Sequence, residues 1–213
     1  MSISSDSIIR ELFRNLYNSI RYPSFKINKN GTFIIDPSLC NTYIHSKTCV
    51  NIDQNISSSI VTNINFLNCS RDIFELKKIN YCYSHWVDGK SWEESGAIDL
   101  FLKRLANNQL DHGIDNIYDY CKRLDRLDYI FNKSQQNGEL YFDKSHSLPF
   151  NNKSRDGILI HVAPGCIPVF GLKGHHRFAI SKILSIPFHA KIGLIHRDSI
   201  SYVHHGITNE TIS

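Results

Sequence analysis

Six residues in the stretch "VFGLKGHHRFAISKILSI" have the types and spacing of an anion site: Gly171, Lys173, Gly174, His175, His176 and Arg177. A glycine permits backbone conformations and close approaches that a Cβ would block. Phe178, Ile180, Ile183 and Leu184 follow at spacings that give one apolar helical stripe, which puts His175, His176 and Arg177 at a helix start. The first N–H groups of a helix have no intrahelical partner, and its N-terminus carries roughly +0.5 elementary charge. Cations there oppose the dipole unless an anion sits among them, and phosphate is a common guest. A strand-to-helix turn with a solvated cationic start uses the same residue types, so both readings stay open at this level.

The elements that must hold this stretch come next. The preceding segment "GILIHVAPGCIPVF" reads as a strand, a Pro-Gly turn and a second strand, and "FHAKIGLI" closes the unit as a third strand. At the other end of the sequence, residues 5–21 read as an amphipathic helix with Ile8, Ile9, Leu12, Phe13, Leu16, Tyr17 and Ile20 on one face, stopped by Pro23. Asn30-Gly31 within "FKINKNGTFIIDP" is a hairpin signal. From Cys40 to about Asn80 the chain is rich in Asn, Ser and Ile, with one or two strands expected around "SSIVTNINFLN". Ser91 and Glu94 have capping-box spacing, opening a helix with a stripe of Ile98, Phe101, Leu102 and Leu105. A further helix runs through "GIDNIYDYCKRLDRLDYIFNK". Its expected inner side is Ile117, Tyr118, Cys121, Leu124 and Phe131, with Lys122, Arg123, Asp125, Arg126 and Asp128 on a solvated outer side. Residues 134–156 are polar and read as a connection.

Composition excludes several classes. A chain of 213 residues with 41% hydrophobic content can bury a core, and is not disordered. A net charge of +4, with basic and acidic residues interspersed, does not demand nucleic acid as a partner. No apolar run reaches membrane-spanning length and the first residues lack a signal-peptide pattern, so a cytoplasmic location without membrane contact is expected. Six cysteines occur without a C-x-x-C pair, which is read as a reduced, structural set. On that reading the N-x-S/T sequons carry no meaning.

The unit "DGILIHVAPGCIPVFGLKGHHRFAISKILSIPFHAKIGLIHRD" resembles the ParB/sulfiredoxin-like superfamily, whose members carry two strands, a G-x-x-R or G-x-H-R box opening a helix, and a closing strand. "WVDGKSWEES" is similar to a segment upstream of the box in ParB-like proteins. The resemblance implies an α+β fold: a small mixed sheet with helices, plus a helical N-terminal extension. It sets the extension with its early hairpin at residues 1–135 and a nucleotide-binding unit at 136–213. It also implies that Gly171, Lys173, Gly174, His175, His176 and Arg177 bind the phosphates of ATP or another nucleoside phosphate, together with Mg²⁺. Arginine suits this because its planar fork donates two charge-assisted hydrogen bonds at once.

Departures from the family narrow the activity. Sulfiredoxins place a catalytic cysteine before the His-Arg pair, where this chain has His175, so sulfinic-acid reduction is not expected. Partition proteins continue into a helix-turn-helix domain, whereas 36 residues follow Arg177 here, so DNA is disfavoured as a partner. Free-serine kinases are the closest enzymatic model. They imply phosphoryl transfer to a small hydroxyl-bearing metabolite, a reaction that rests on positioning and charge neutralisation. The candidate catalytic residues are His176, with Glu139 or Asp143 as base, because their segment is polar and glycine-containing. Asp156 reads rather as a turn acid, Glu93 and Glu94 as helix-start residues, and His161 as a core or face histidine within a strand. His196 and Arg197 are a weaker second anion contact, and His204 and His205 are rejected as a metal site. Trp86 and Trp92 read either as a wall for a nucleobase or as core. The alternative function is a non-enzymatic, nucleotide-gated module for DNA or a protein partner. A homodimer is compatible with either.

Overall fold

In the computed structural model, the residues described are 33–45, 60–111, 113–141 and 157–200, together with the helical positions 13, 16, 17, 20 and 21. The fold is α+β, with a seven-stranded mixed open sheet and four helices among these residues. The backbone groups into two compact units. Among the described residues, one carries the seven strands, and the other carries the helices Lys77–Trp86, Ala97–Ala106, Ile117–Asn137 and His175–Leu184.

The sheet is built from strands at both ends of the chain: β1 (Phe33–Ile35), β2 (Thr42–Ile44), β3 (Ile60–Thr62), β4 (Ser70–Asp72), β5 (Ile158–Val162), β6 (Pro168–Phe170) and β7 (Phe188–His196). Its order is β1-β7-β5-β6-β2-β4, and β3 also pairs with β7. The pairs β5/β7, β2/β6 and β3/β7 are parallel, and β1/β7, β5/β6 and β2/β4 are antiparallel. All five residues of β5 are buried, as a strand with neighbours on both edges and an apolar run requires. Ile44, Phe66, Ala163, Val169 and Leu194 form a core cluster in this unit, with Leu67 and Cys69 packed against it. Backbone pairing therefore draws β1 to β4 into one sheet with the C-terminal strands.

The helices are α1 (Lys77–Trp86), α2 (Ala97–Ala106), α3 (Ile117–Asn137) and α4 (His175–Leu184). α1 has no side-chain cap, and buries Ile79, Tyr81 and Cys82. Its β-branched and aromatic residues are modest helix formers, so packing of this face holds it helical. The Ser91/Glu94 pair forms its reciprocal bonds, Ser91 N–H to Glu94 Oε2 at 2.9 Å and Glu94 N–H to Ser91 Oγ at 3.1 Å. They close a turn rather than a helix start, because Gly96 adopts φ +83° and α2 begins after it.

In α3, Asn116 caps the start by accepting from Asp119 N–H at 2.9 Å, and Gly138 ends it in the left-handed region. Its buried stripe is Tyr120, Leu124, Leu127, Phe131 and Ser134, while Ile117 and Tyr118 are exposed. The helix is thus rotated from the expected face, because Tyr120 stacks on Phe101 at 4.1 Å and Phe131 on Trp86 at 4.7 Å.

Three further expectations meet the structure here. Phe13, Leu16, Tyr17 and Ile20 are helical as anticipated but exposed, at 58–73%, rather than buried. The Asn30-Gly31 hairpin lies outside the described residues, although the second of its runs supplies β1. Cys40, Cys82, Cys121 and Cys166 are free thiols, but Cys69 is disulfide-bonded, which corrects the all-reduced reading. No described helix is long and apolar enough to cross a membrane.

Candidate functional site

The chain leaves β6 through Gly171, Leu172, Lys173 and Gly174 and enters α4 at His175. Two backbone bonds pin this loop to β5: Gly171 N–H donates to the Leu159 carbonyl at 2.8 Å, and Leu159 N–H donates to the Lys173 carbonyl at 3.3 Å. The two glycines are demanded by this approach. A Cβ on Gly171 would lie 2.6 Å from Leu159 Cγ and 2.9 Å from His161 Nε2. Gly174 has φ +79°, and its Cβ would lie 3.1 Å from Ile158 Cα. Leu172 also has a positive φ, +62°, a conformation that costs a non-glycine residue about 1–2 kcal/mol. The loop is therefore a close-fitting cradle against the sheet. Lys173 is exposed on it.

The helix start has three different residues. His175 and Arg177 are half-buried, whereas His176 is buried. Within the helical unit, His176 Nε2 lies 2.6 Å from the hydroxyl of Tyr81 on α1. Burial pushes the Tyr81 phenol well above its ordinary range, so the hydroxyl keeps its proton. His176 is thereby held by a neighbouring helix, and its Nε2 is committed to Tyr81.

His161 lies in β5 and is fully buried. Between Ile160/Ile192 and Val162/Ile195 the β5/β7 register shifts, so Gly193 and Leu194 together face His161 in a bulge. Its Nδ1 accepts from Leu194 N–H at 2.9 Å, which replaces a ladder bond and assigns the ring proton to Nε2. Nε2 has no hydrogen-bond partner among the described residues. Burial, and secondarily the charge of Lys173, lowers the imidazole pKa to about 4. The ring is neutral at physiological pH.

A second cluster lies wholly in the helical unit. Asp128 of α3 accepts from Trp86 Nε1 at 2.8 Å and Trp92 Nε1 at 2.9 Å, and faces His85 Nε2 at 3.0 Å. His85 stacks on Trp92 with centroids 3.8 Å apart, and its Nδ1 contacts the Lys90 carbonyl at 2.5 Å. The two tryptophans thus use their polar edges to fasten the Val87–Gly96 turn to α3. Asp128 is a structural acceptor here rather than a solvated outer charge. Mixed charge in "KRLDRLD" concealed it; the Trp-x5-Trp spacing beside a helix rich in aspartate was the signal that could have found it.

The remaining sequence candidates are dispersed. Glu139 is exposed just beyond the end of α3. Asp143, Asp156, His204 and His205 lie outside the described residues. Glu94 is occupied by Ser91, whose backbone bond lowers its carboxyl pKa. His196 caps a short turn by accepting from Asp198 N–H at 3.3 Å. Among the described residues no group of three His, Cys, Asp or Glu side chains could hold a metal. In comparisons with known proteins, no family model, no curated protein and no solved structure matches this chain.

Proposed function

We propose that this chain binds a nucleoside polyphosphate through the segment Gly171–Arg177 and transfers a phosphoryl group to a small hydroxyl-bearing metabolite. The observation that carries this reading is the glycine-dependent loop, pinned to β5 by two backbone bonds and leading directly into a ten-residue helix. The box and its order of elements also resemble those of the ParB/sulfiredoxin-like superfamily. Arg177 would donate a bidentate pair to phosphate oxygens, and His175 a single bond. His176 would act as a positioning residue, because its Nε2 is taken by Tyr81. Glu139 or Asp143 would serve as base, and Mg²⁺ would enter with the nucleotide.

A second reading is the non-enzymatic, nucleotide-gated module. The Tyr81–His176 bond favours it, since it ties a box residue to α1 rather than leaving it free for chemistry. Thermal unfolding with ATP, ADP, CTP and GTP, each with Mg²⁺, tests both. A ligand at 100 times its dissociation constant stabilises the fold by about 2.7 kcal/mol. A shift with ATP that Arg177→Ala abolishes, followed by phosphorylation of a hydroxylated metabolite, supports the kinase; a shift with CTP alone supports the module. No shift with any nucleotide overturns the nucleotide reading.

A further inference from the structure

We infer that the open cavity between the Ile73–Glu75 turn and helices α1 and α2 is a binding site for a small aminodicarboxylate, a molecule with two carboxylates and one ammonium on a short aliphatic stem. The inference goes beyond the reading of Gly171–Arg177 and does not depend on it. Every residue that lines the cavity belongs to the helical unit.

The cavity has a volume of about 300 Å³, enough for a small metabolite, and opens to solvent. Its walls follow from helical spacing. On α1, Asn80 and Tyr81 follow Lys77 by three and four positions, and on α2 Lys103 follows Leu100 and Asp99 in the same way, so each helix turns one face to the same space. Phe74, Tyr81 and Leu100 give this space an apolar lining. At Gly96, immediately before α2, nothing lies within 4 Å of the position a Cβ would take, so the space is open rather than packed.

The polar groups around the cavity decide the ligand. Among the described residues, the side chains of Lys77, Asn80, Asp99 and Lys103 make no hydrogen bond or ion pair. Asp99 and Lys103 are four positions apart on one helix, a spacing at which opposite charges commonly pair, and they stay separate. Ser95 donates its hydroxyl to the Trp92 carbonyl at 2.8 Å, and Glu75 has a partner of its own. The uncommitted groups are therefore two ammonium ions, one carboxylate and one amide. Their complement carries two negative charges and one positive charge. An aminodicarboxylate supplies this, with its carboxylates toward Lys77 and Lys103, its ammonium toward Asp99 and its methylenes against Phe74 and Leu100. Asn80 would donate an amide N–H to a carboxylate oxygen. A simple dianion would leave Asp99 facing like charge.

The test is an isotope-edited NMR titration of the full chain with L-glutamate, with glutarate, which lacks the ammonium, and with γ-aminobutyrate, which lacks one carboxylate. The Asn80 side-chain amide resonances are expected to move saturably with L-glutamate. Each analogue is expected to bind about threefold more weakly, as the loss of one exposed ion pair predicts. Lys77→Gln and Lys103→Gln should each weaken L-glutamate by about the same factor. Asp99→Asn should weaken L-glutamate about threefold while leaving glutarate unchanged or tighter, a reversal that a merely structural role would not produce.

Saturable movement at Asn80 together with that reversal supports the site. Asn80 resonances unmoved by L-glutamate overturn it, and this readout needs no variant. Equal affinity for L-glutamate and glutarate in the wild-type protein overturns the ligand class, because Asp99 then contacts no ammonium. L-glutamate affinity unchanged in all three variants overturns the location. Nucleotide binding is measured separately on the same protein, so failure here leaves the reading of Gly171–Arg177 in place.

Discussion

Replacing Asp128 with alanine withdraws one carboxylate from three partners at once: the indole N–H groups of Trp86 at 2.8 Å and Trp92 at 2.9 Å, and the His85 ring at Nε2, 3.0 Å away. Hydrogen bonds to a charged group contribute about 1.5–3 kcal/mol each when well buried, but the Asp128 side chain is 33% exposed and partly screened by water. Taking about 1 kcal/mol for each bond, Asp128→Ala should cost about 3 kcal/mol. Asp128→Asn keeps one acceptor oxygen but turns an amide N–H toward an indole N–H, so about 2 kcal/mol is expected. The assay is urea unfolding followed by tryptophan fluorescence. Trp86 and Trp92 are the two tryptophans of the chain, so the signal reports this cluster directly. Trp92→Phe, measured alone and with Asp128→Ala, completes a double-mutant cycle with an expected coupling of about 1 kcal/mol. An Asp128→Ala midpoint equal to that of the wild type, at unchanged slope, would refute the claim that this carboxylate fastens the Val87–Gly96 turn to α3.

Stability should also depend on pH through His161. Its imidazole titrates near 6.5 when unfolded and at about 4 in the fold, so the unfolded chain binds more protons between those values. The contribution is complete above pH 6.5 and is lost as pH falls toward 4, amounting to about 3 kcal/mol. The stability difference between wild type and His161→Asn should therefore shrink from pH 7 to pH 4.5 in urea titrations; a constant difference contradicts it. In the loop, Gly171→Ala forces its Cβ against Leu159 Cγ and should cost about 3 kcal/mol, and Gly174→Ala about 2 kcal/mol from its positive φ. Unfolding midpoints within error of the wild type for both would remove the argument for a close-fitting loop. Lys78 Nζ sits 2.8 Å from both oxygens of the buried Asp111, so Lys78→Met should destabilise by about 3 kcal/mol, and adding Asp111→Leu should recover most of it. Thermal unfolding of the single and double variants decides this, with no recovery as the contrary result.

Local signals located the C-terminal unit because each of its boundaries carries a residue with a backbone reason. Pro164 and Gly165 separate β5 from β6, and Gly174 stands immediately before α4. The existence of α3 was legible in the same way, since Asn116 and Gly138 bound it. Which face α3 buries was not legible, because its aromatic and aliphatic residues occur on more than one side and packing against Phe101 and Trp86 selects one. β2 and β4 are three residues long, too short for any period to register. α1 was missed because neither its propensity nor a cap announces it.

The amino-acid sequence alone determined the β5-β6-α4-β7 order and the glycine-bounded segment Gly171–Arg177, since these follow from backbone rules that act within a few residues. Tertiary structure alone decided what those residues face. It turned His176 toward Tyr81, left His161 Nε2 beside Gly171, and gathered Trp86, Trp92 and His85 on Asp128. The hydrogen bonds among them join positions 36 to 95 residues apart, and bonds at that separation depend on how helices pack, which no local pattern encodes.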